Sequence, residues 1–167
     1  MGSTMDAPND GAVLLRLSSA LRINCDPDYL FSDLHHPETL FQCVPGVSLT
    51  RVIDLRTVEA RMVVGVGPFT VAYDGVGRIV TSDRAARTAS IDLEGLSDIW
   101  GSARARVRMA VRPIGCGSSL NTSVRLMMTG RATALGRPLL HHIADEMFTR
   151  TGDRIKSKLE EVLPAIG

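Results

Sequence analysis

From Val47 to Thr129, apolar and polar residues alternate in six runs, and the breaks between the runs are too short to hold a helix. The runs are Val47 to Ile53, Thr57 to Val66, Phe69 to Ser82, Thr88 to Leu96, Ala103 to Arg112 and Leu120 to Thr129. A period of two places one set of side chains on each face of a strand. Val58, Ala60, Met62, Val64 and Val66 therefore oppose Thr57, Glu59, Arg61 and Val63. Ala103, Ala105, Val107, Met109 and Val111 oppose Arg104, Arg106, Arg108 and Arg112. Parallel neighbours need a crossover of about a dozen residues. The breaks here are Asp54, Gly67-Pro68, Ser82-Asp83, Ser97-Asp98 and Gly115 to Ser119, so the runs predict an antiparallel meander. Val13 to Asn24 alternates in the same way, with Leu15, Leu17, Ser19, Leu21 and Ile23 on one side, and supplies a seventh strand.

A sheet with one polar and one apolar face requires a cover on the apolar side. The stretch from Gly130 to Leu163 offers one. Leu135, Leu139, Ile143, Met147, Ile155, Leu159 and Val162 recur at helical spacing, and Asp145, Glu146, Arg150, Asp153, Arg154, Lys156 and Lys158 lie opposite. Pro138 is placed to open the main helix, where its missing N–H costs nothing, and Pro164 to end it. A helix from Pro138 to Leu163 is about 39 Å long, and Gly152 marks an expected weak point within it. Two shorter helices precede the meander. One starts at Asp26-Pro27, with Asp26 as its cap; the other runs from Glu38 to Cys43, before Val44-Pro45-Gly46. The order predicts an α+β helix-grip fold: a seven-stranded curved antiparallel sheet wrapped around the long C-terminal helix, with a cavity between them. Residues 12–167 read as one domain, and residues 1–11 as a disordered tail or tag.

The net charge of +1 gives no electrostatic basis for a nucleic-acid partner, and none is expected. Aromatic residues are only 4%, so the interior is filled by Val, Leu, Ala and Met, or is filled incompletely. Cys25, Cys43 and Cys116 are an odd set without metal-like spacing, which predicts free thiols in a reducing compartment. No run is apolar for long enough to span a bilayer and no signal peptide is evident, so the expected location is cytoplasmic.

Few constellations suggest chemistry. His35-His36 and His141-His142 are metal candidates by type alone. Helix neighbours point about 100° apart, and no Asp, Glu or Cys stands at ligand spacing, so no metal is expected. Cys43 reads as a small buried residue rather than a nucleophile. Gly65-Val66-Gly67 and Gly75-Val76-Gly77 lack the strand-to-helix setting of a phosphate loop. Arg104, Arg106, Arg108 and Arg112 form a basic stripe, read as a solvated face paired with Glu59, Asp92 and Glu94. There is no catalytic triad and no carboxylate pair.

One set of positions shares the parity that faces the final helix: Met62, Phe69, Val71, Tyr73, Gly75, Leu93, Ala105, Val107, Met109 and Met128. With Leu139, Ile143 and Met147 from the helix, they form the predicted ligand site. Methionines adapt to irregular ligands, the small residues leave room, and Tyr73 offers a hydroxyl to orient a carbonyl.

Several stretches resemble the CoxG family associated with carbon monoxide dehydrogenase, within the START/Bet v 1-like (SRPBCC) superfamily. They are Cys43-Val44-Pro45-Gly46, Val66-Gly67-Pro68-Phe69, Tyr73-Asp74-Gly75, Gly101-Ser102-Ala103-Arg104 and Leu135-Gly136-Arg137, and the similarity runs from about Leu14 to Leu163. The resemblance implies a carrier rather than an enzyme. It implies an apolar small molecule, a quinone such as menaquinone or a lipid, in the central cavity, and no other cofactor. The implied partner is a molybdenum-containing hydroxylase-type dehydrogenase, with peripheral contact at the inner membrane face. Longer relatives carry a C-terminal extension associated with membrane attachment, whereas this sequence stops at Gly167. An enzyme of the same fold, of the polyketide cyclase or dehydratase kind, is the alternative. It would need ionisable groups inside the cavity, where the sequence places only Tyr73, Ser19 and Thr122 as polar residues.

Overall fold

A computed structural model describes residues 11–162. Strand β1 (Val13–Ile23) leads into helices α1 (Pro27–Leu34) and α2 (Pro37–Gln42). Six strands follow: β2 (Val47–Val52), β3 (Thr57–Val66), β4 (Phe69–Asp83), β5 (Thr88–Ser97), β6 (Gly101–Ile114) and β7 (Gly117–Thr129). A 3-10 turn (Arg131–Leu135) precedes helix α3 (Arg137–Val162). The expected tail over residues 1–10 and the helix stop at Leu163-Pro164 lie outside the described residues.

All seven strands form one antiparallel sheet in the order β1-β7-β6-β5-β4-β3-β2, as the alternation predicts. The last hairpin is tighter than expected. β6 and β7 run on to a two-residue turn at Gly115 and Cys116, with Pro113 paired to Ser118. Pro113 is tolerated because β5 pairs with β6 only as far as Ala110, so the missing N–H faces no partner there.

The cover is shared. α1 and α2 lay Leu30, Phe31, Leu34, Leu40 and Phe41 over Val58, Ile79, Ile91, Val111 and Leu120, and the end of α3 adds Ile155 and Leu159. Alternation alone assigns the whole cover to the last helix. The short helices close one end of the sheet because Gly77 lets an aromatic ring settle on the strand: a Cβ there would overlap Phe41 Cζ.

α3 lies along β1. Arg137 Nη1 donates to the Leu14 carbonyl, Lys156 Nζ donates to the Arg22 carbonyl at 2.8 Å, and Glu160 Oε2 accepts from the Asn24 N–H at 2.8 Å. The helix runs unbroken through Gly152, where a Cβ would stand 3.3 Å from Leu21 Cδ2. Along the helix Ile155 and Leu159 are buried and Ile143 and Met147 half-buried, as the stripe predicts, and the departure is at the first turn. Leu140 is buried, whereas Leu139, expected to face the sheet, is 39% exposed.

Gly75 pairs with Gly95 across β4 and β5, and a Cβ on Gly75 would overlap the Glu94 carbonyl oxygen. Its bare backbone lets the two strands close up, so it holds the sheet's shape rather than leaving room for a ligand. Gly65 has nothing within 4 Å of its Cβ position. Urea melts should therefore separate two like substitutions. Gly75→Ala is expected to destabilise by about 1–3 kcal/mol, the range of an overpacked site, while Gly65→Ala leaves the midpoint nearly unchanged.

Candidate functional site

At the end of the sheet where β3 turns into β4 and β5 into β6, a second cluster forms apart from the main core. Val66, Val71, Tyr73, Trp100 and Ala132 are buried there, with Met62, Val64, Ala103, Met128, Leu135 and Ile143 packed around them. Tyr73 is held on β4 opposite Met62 of β3. Gly95 on β5 makes space beside its ring, since a Cβ there would be 3.4 Å from Tyr73 Cβ. Ser97 Oγ accepts the Trp100 N–H at 3.0 Å and fixes the turn that carries the indole. The 3-10 turn delivers Ala132 and Leu135.

The Tyr73 hydroxyl is buried and has no hydrogen-bond partner among the described residues. Burial also raises the phenol's pKa, so the group stays a neutral donor and acceptor. A buried hydroxyl left unpaired costs about 1–3 kcal/mol. Between this cluster and the main core, the sheet's inner face stays only partly covered. Ala60, Ala105, Leu126 and Met147 are half-buried, and Ser19, on the inward side of β1, is exposed.

The thirteen residues predicted to form one site are divided. Met62, Val71, Tyr73, Met128 and Ile143 come together in the Tyr73 cluster. Met109 is packed in the main core, with Leu93 and Val107 against it. Ala105, paired with Leu93 two residues before Gly95 on β5, and Met147 on α3 are half-buried, and Gly75 pairs with Gly95. Besides Gly75, two expectations are corrected. Leu139 is exposed at the first turn of α3, where Leu140 takes the buried position. Phe69 is 51% exposed, because it is the first residue after the turn; it lies edge-on to Trp100 at 5.8 Å between ring centroids. It sits at the rim, not inside. Trp100, Ala132 and Leu135 give little signal in the sequence: Trp100 is in a turn without periodicity, and the 3-10 segment blends into the helical pattern.

Two depressions lie on the opposite, outer face of the sheet. One of about 520 Å³ is bounded by Arg16, Ser18, Arg106, Arg108, Ser123 and Arg125, and a wider one of about 810 Å³ adjoins it. No group of three His, Cys, Asp or Glu side chains is arranged to hold a metal among the described residues. No helix among them is long and apolar enough to cross a membrane.

A family model for the carbon monoxide dehydrogenase CoxG proteins matches residues 20–160. No curated protein sequence matches the chain. Solved structures share its fold at low identity. A conserved protein from Geobacillus kaustophilus is 17% identical with a TM-score of 0.75, over 88% of this chain and 96% of that one. An aromatase/cyclase from Streptomyces sp. R1128 is 11% identical with a TM-score of 0.63, over 93% and 99%. Norcoclaurine synthase from Thalictrum flavum is 15% identical with a TM-score of 0.60, over 90% and 89%. These likenesses place the chain in the START/Bet v 1-like fold.

Two of the three cysteines are buried with thiols held protonated. Burial first, then the charges of Asp26, Asp33 and Glu160, push the Cys25 thiol up to about 11. Burial raises Cys43 as well. Cys116 is exposed at the β6–β7 turn. Titration of the native protein with a chromogenic disulfide at pH 8 is expected to release one thiol equivalent quickly, and three after denaturation. Fast reaction of Cys43 in the native state would restore it as a candidate nucleophile.

Proposed function

The chain belongs to the CoxG family of carbon monoxide dehydrogenase proteins, and on that premise we propose that it is a non-enzymatic carrier of an apolar, carbonyl-bearing molecule. A quinone such as menaquinone fits the description. The carrying observation is the unpaired Tyr73 hydroxyl, set in an apolar cluster beside a partly covered sheet face. A quinone carbonyl accepts the phenol's hydrogen bond, and its ring and tail replace water on Met62, Ala105, Met128 and Met147. Each Å² so hidden contributes about 25 cal/mol.

The rim supports a membrane source for the ligand. Phe69, Leu96, Ile99 and Leu139 are exposed apolar residues around the same end of the sheet as Tyr73. They suit transient contact with a bilayer surface, so the protein works as a peripheral carrier at the inner membrane face. It delivers its cargo to a molybdenum-containing, CO dehydrogenase-type oxidoreductase.

The alternative is catalysis of the cyclase kind, and two of the similar structures are named as an aromatase/cyclase and a synthase. Against it, the Tyr73 hydroxyl has no hydrogen-bond partner among the described residues, and burial alone raises its pKa, with no neighbouring charge contributing. General acid–base chemistry needs a second group within reach.

Mass spectrometry of lipids extracted from the purified protein tests the ligand class, and quinone titration tests the place. Tyr73→Phe should weaken quinone binding by about 1 kcal/mol, the worth of one hydrogen bond, and should raise the ligand-free melting temperature by removing an unpaired buried group. Ala105→Phe should abolish binding while the protein still melts cooperatively. If both folded variants bind quinone as the parent does, the ligand lies elsewhere.

A further inference from the structure

The outer face of the sheet carries a charge arrangement that the fold does not require. Arg16 on β1 pairs in register with Arg125 on β7, which pairs in turn with Arg106 on β6. Direct cross-strand neighbours stand about 5 Å apart, and like charges so placed destabilise a sheet. Arg106 is satisfied by a two-pronged bond to Asp92, at 2.6 and 2.7 Å. Arg104 reaches Glu94 only at 3.8 Å. Arg16, Arg125 and Arg108 have no carboxylate partner among the described residues. The expected neutralisation of the stripe by Glu59, Asp92 and Glu94 is therefore incomplete; Glu59 pairs with Val76 and Arg51, away from β6. The chain's net charge is only +1, so this face is a local concentration of positive charge.

The shape is as informative as the charge. These arginines and Ser18 and Ser123 bound the depression of about 520 Å³. Strands are spaced about 4.8 Å and alternate residues about 6.7 Å, so the four guanidinium-bearing positions span a field of roughly 10 by 7 Å. That field is wider than a single phosphate. It matches carboxylates one turn apart on an acidic helix, about 6 Å. Guanidinium groups bind carboxylates through two parallel hydrogen bonds, which favours a specific protein contact. A bilayer is flat and does not enter a concave surface, and no aromatic residue interleaves with the arginines to stack bases.

We propose that this outer arginine field is the docking surface for an acidic element of a protein partner, the oxidoreductase that the carrier serves. The identity of that partner rests on the functional reading above; the surface does not. It leaves the Tyr73 end of the sheet free, so docking and ligand exchange use different parts of the molecule.

The test is interferometry between this chain and the purified molybdenum-containing dehydrogenase of the same source organism, at low and high salt. Arg125→Ser and Arg108→Glu are compared with the parent, and quinone titrations and thermal melts are run on all three. Each variant is expected to lose affinity about tenfold or more, with steep salt dependence in the parent. Quinone binding should not change, and Arg125→Ser should melt at or above the parent because a repulsive neighbour has gone. A residue kept only for structure would not combine a higher melt with weaker docking. Undiminished dehydrogenase binding by both folded variants overturns the docking surface and leaves the carrier reading standing. A parent that binds quinone but not the dehydrogenase defeats both the surface and the proposed partner. Loss of binding to phosphatidylserine vesicles, with dehydrogenase binding retained, would assign the face to a membrane and overturn the proposal.

Discussion

One helix is too narrow to hide the sheet it lies on. Seven strands at about 4.8 Å spacing set the two edges roughly 29 Å apart before any curvature. A helix with its side chains is about 10 Å across. The structure meets this mismatch in three ways. The Gly75–Gly95 pair lets β4 and β5 close up, α1 and α2 cover one end, and α3 is drawn to the β1 edge by hydrogen bonds at both of its ends. What is left over is the partly covered strip beside Tyr73. The candidate site is thus a geometric remainder of the fold, and the chain has tuned it with methionine, small residues and one hydroxyl.

The two faces of the sheet share a property despite their opposite chemistry. Inside, a phenol is buried without a partner; outside, three arginines are aligned in register across β1, β7 and β6, and one carboxylate serves them. Both arrangements lower the stability of the isolated molecule. Stability and function commonly oppose each other at sites built to receive something else. The apolar cargo and the acidic protein surface proposed above would be complements to these two features.

Alternation makes the strands, their order along the chain and their inward faces legible, because a one-residue slip would reverse every side chain. It makes Met62, Val71, Tyr73 and Met128 legible as neighbours for the same reason. The final helix is legible as an element, and Ile155 and Leu159 of its stripe are buried as read, but not at its first turn. Leu139 and Leu140 are adjacent and equally apolar, and the structure buries Leu140. Phe69 has inward parity, but parity loses its meaning at the first residue after a turn. In sequence Gly75 looks like empty space, whereas its neighbour in the fold is the backbone of β5. The arginine row is half visible, as a stripe on β6. Its other members come from β1 and β7, and their alignment depends on a pairing between strands far apart in the chain.

That same pairing bears on how the molecule is made. The six strands from β2 to β7 form a meander of short-range contacts, whereas β1 has one sheet neighbour, β7. The strand synthesised first is therefore the strand placed last. During translation Leu15, Leu17, Leu21 and Ile23 have no sheet partner until the residues beyond Gly117 have left the ribosome. Contacts so distant in sequence slow folding and leave an apolar strand exposed to chance pairings in the meantime. The late arrival of α3, whose side chains take up the Leu14 and Arg22 carbonyls on the outer edge of β1, then closes that edge to other chains.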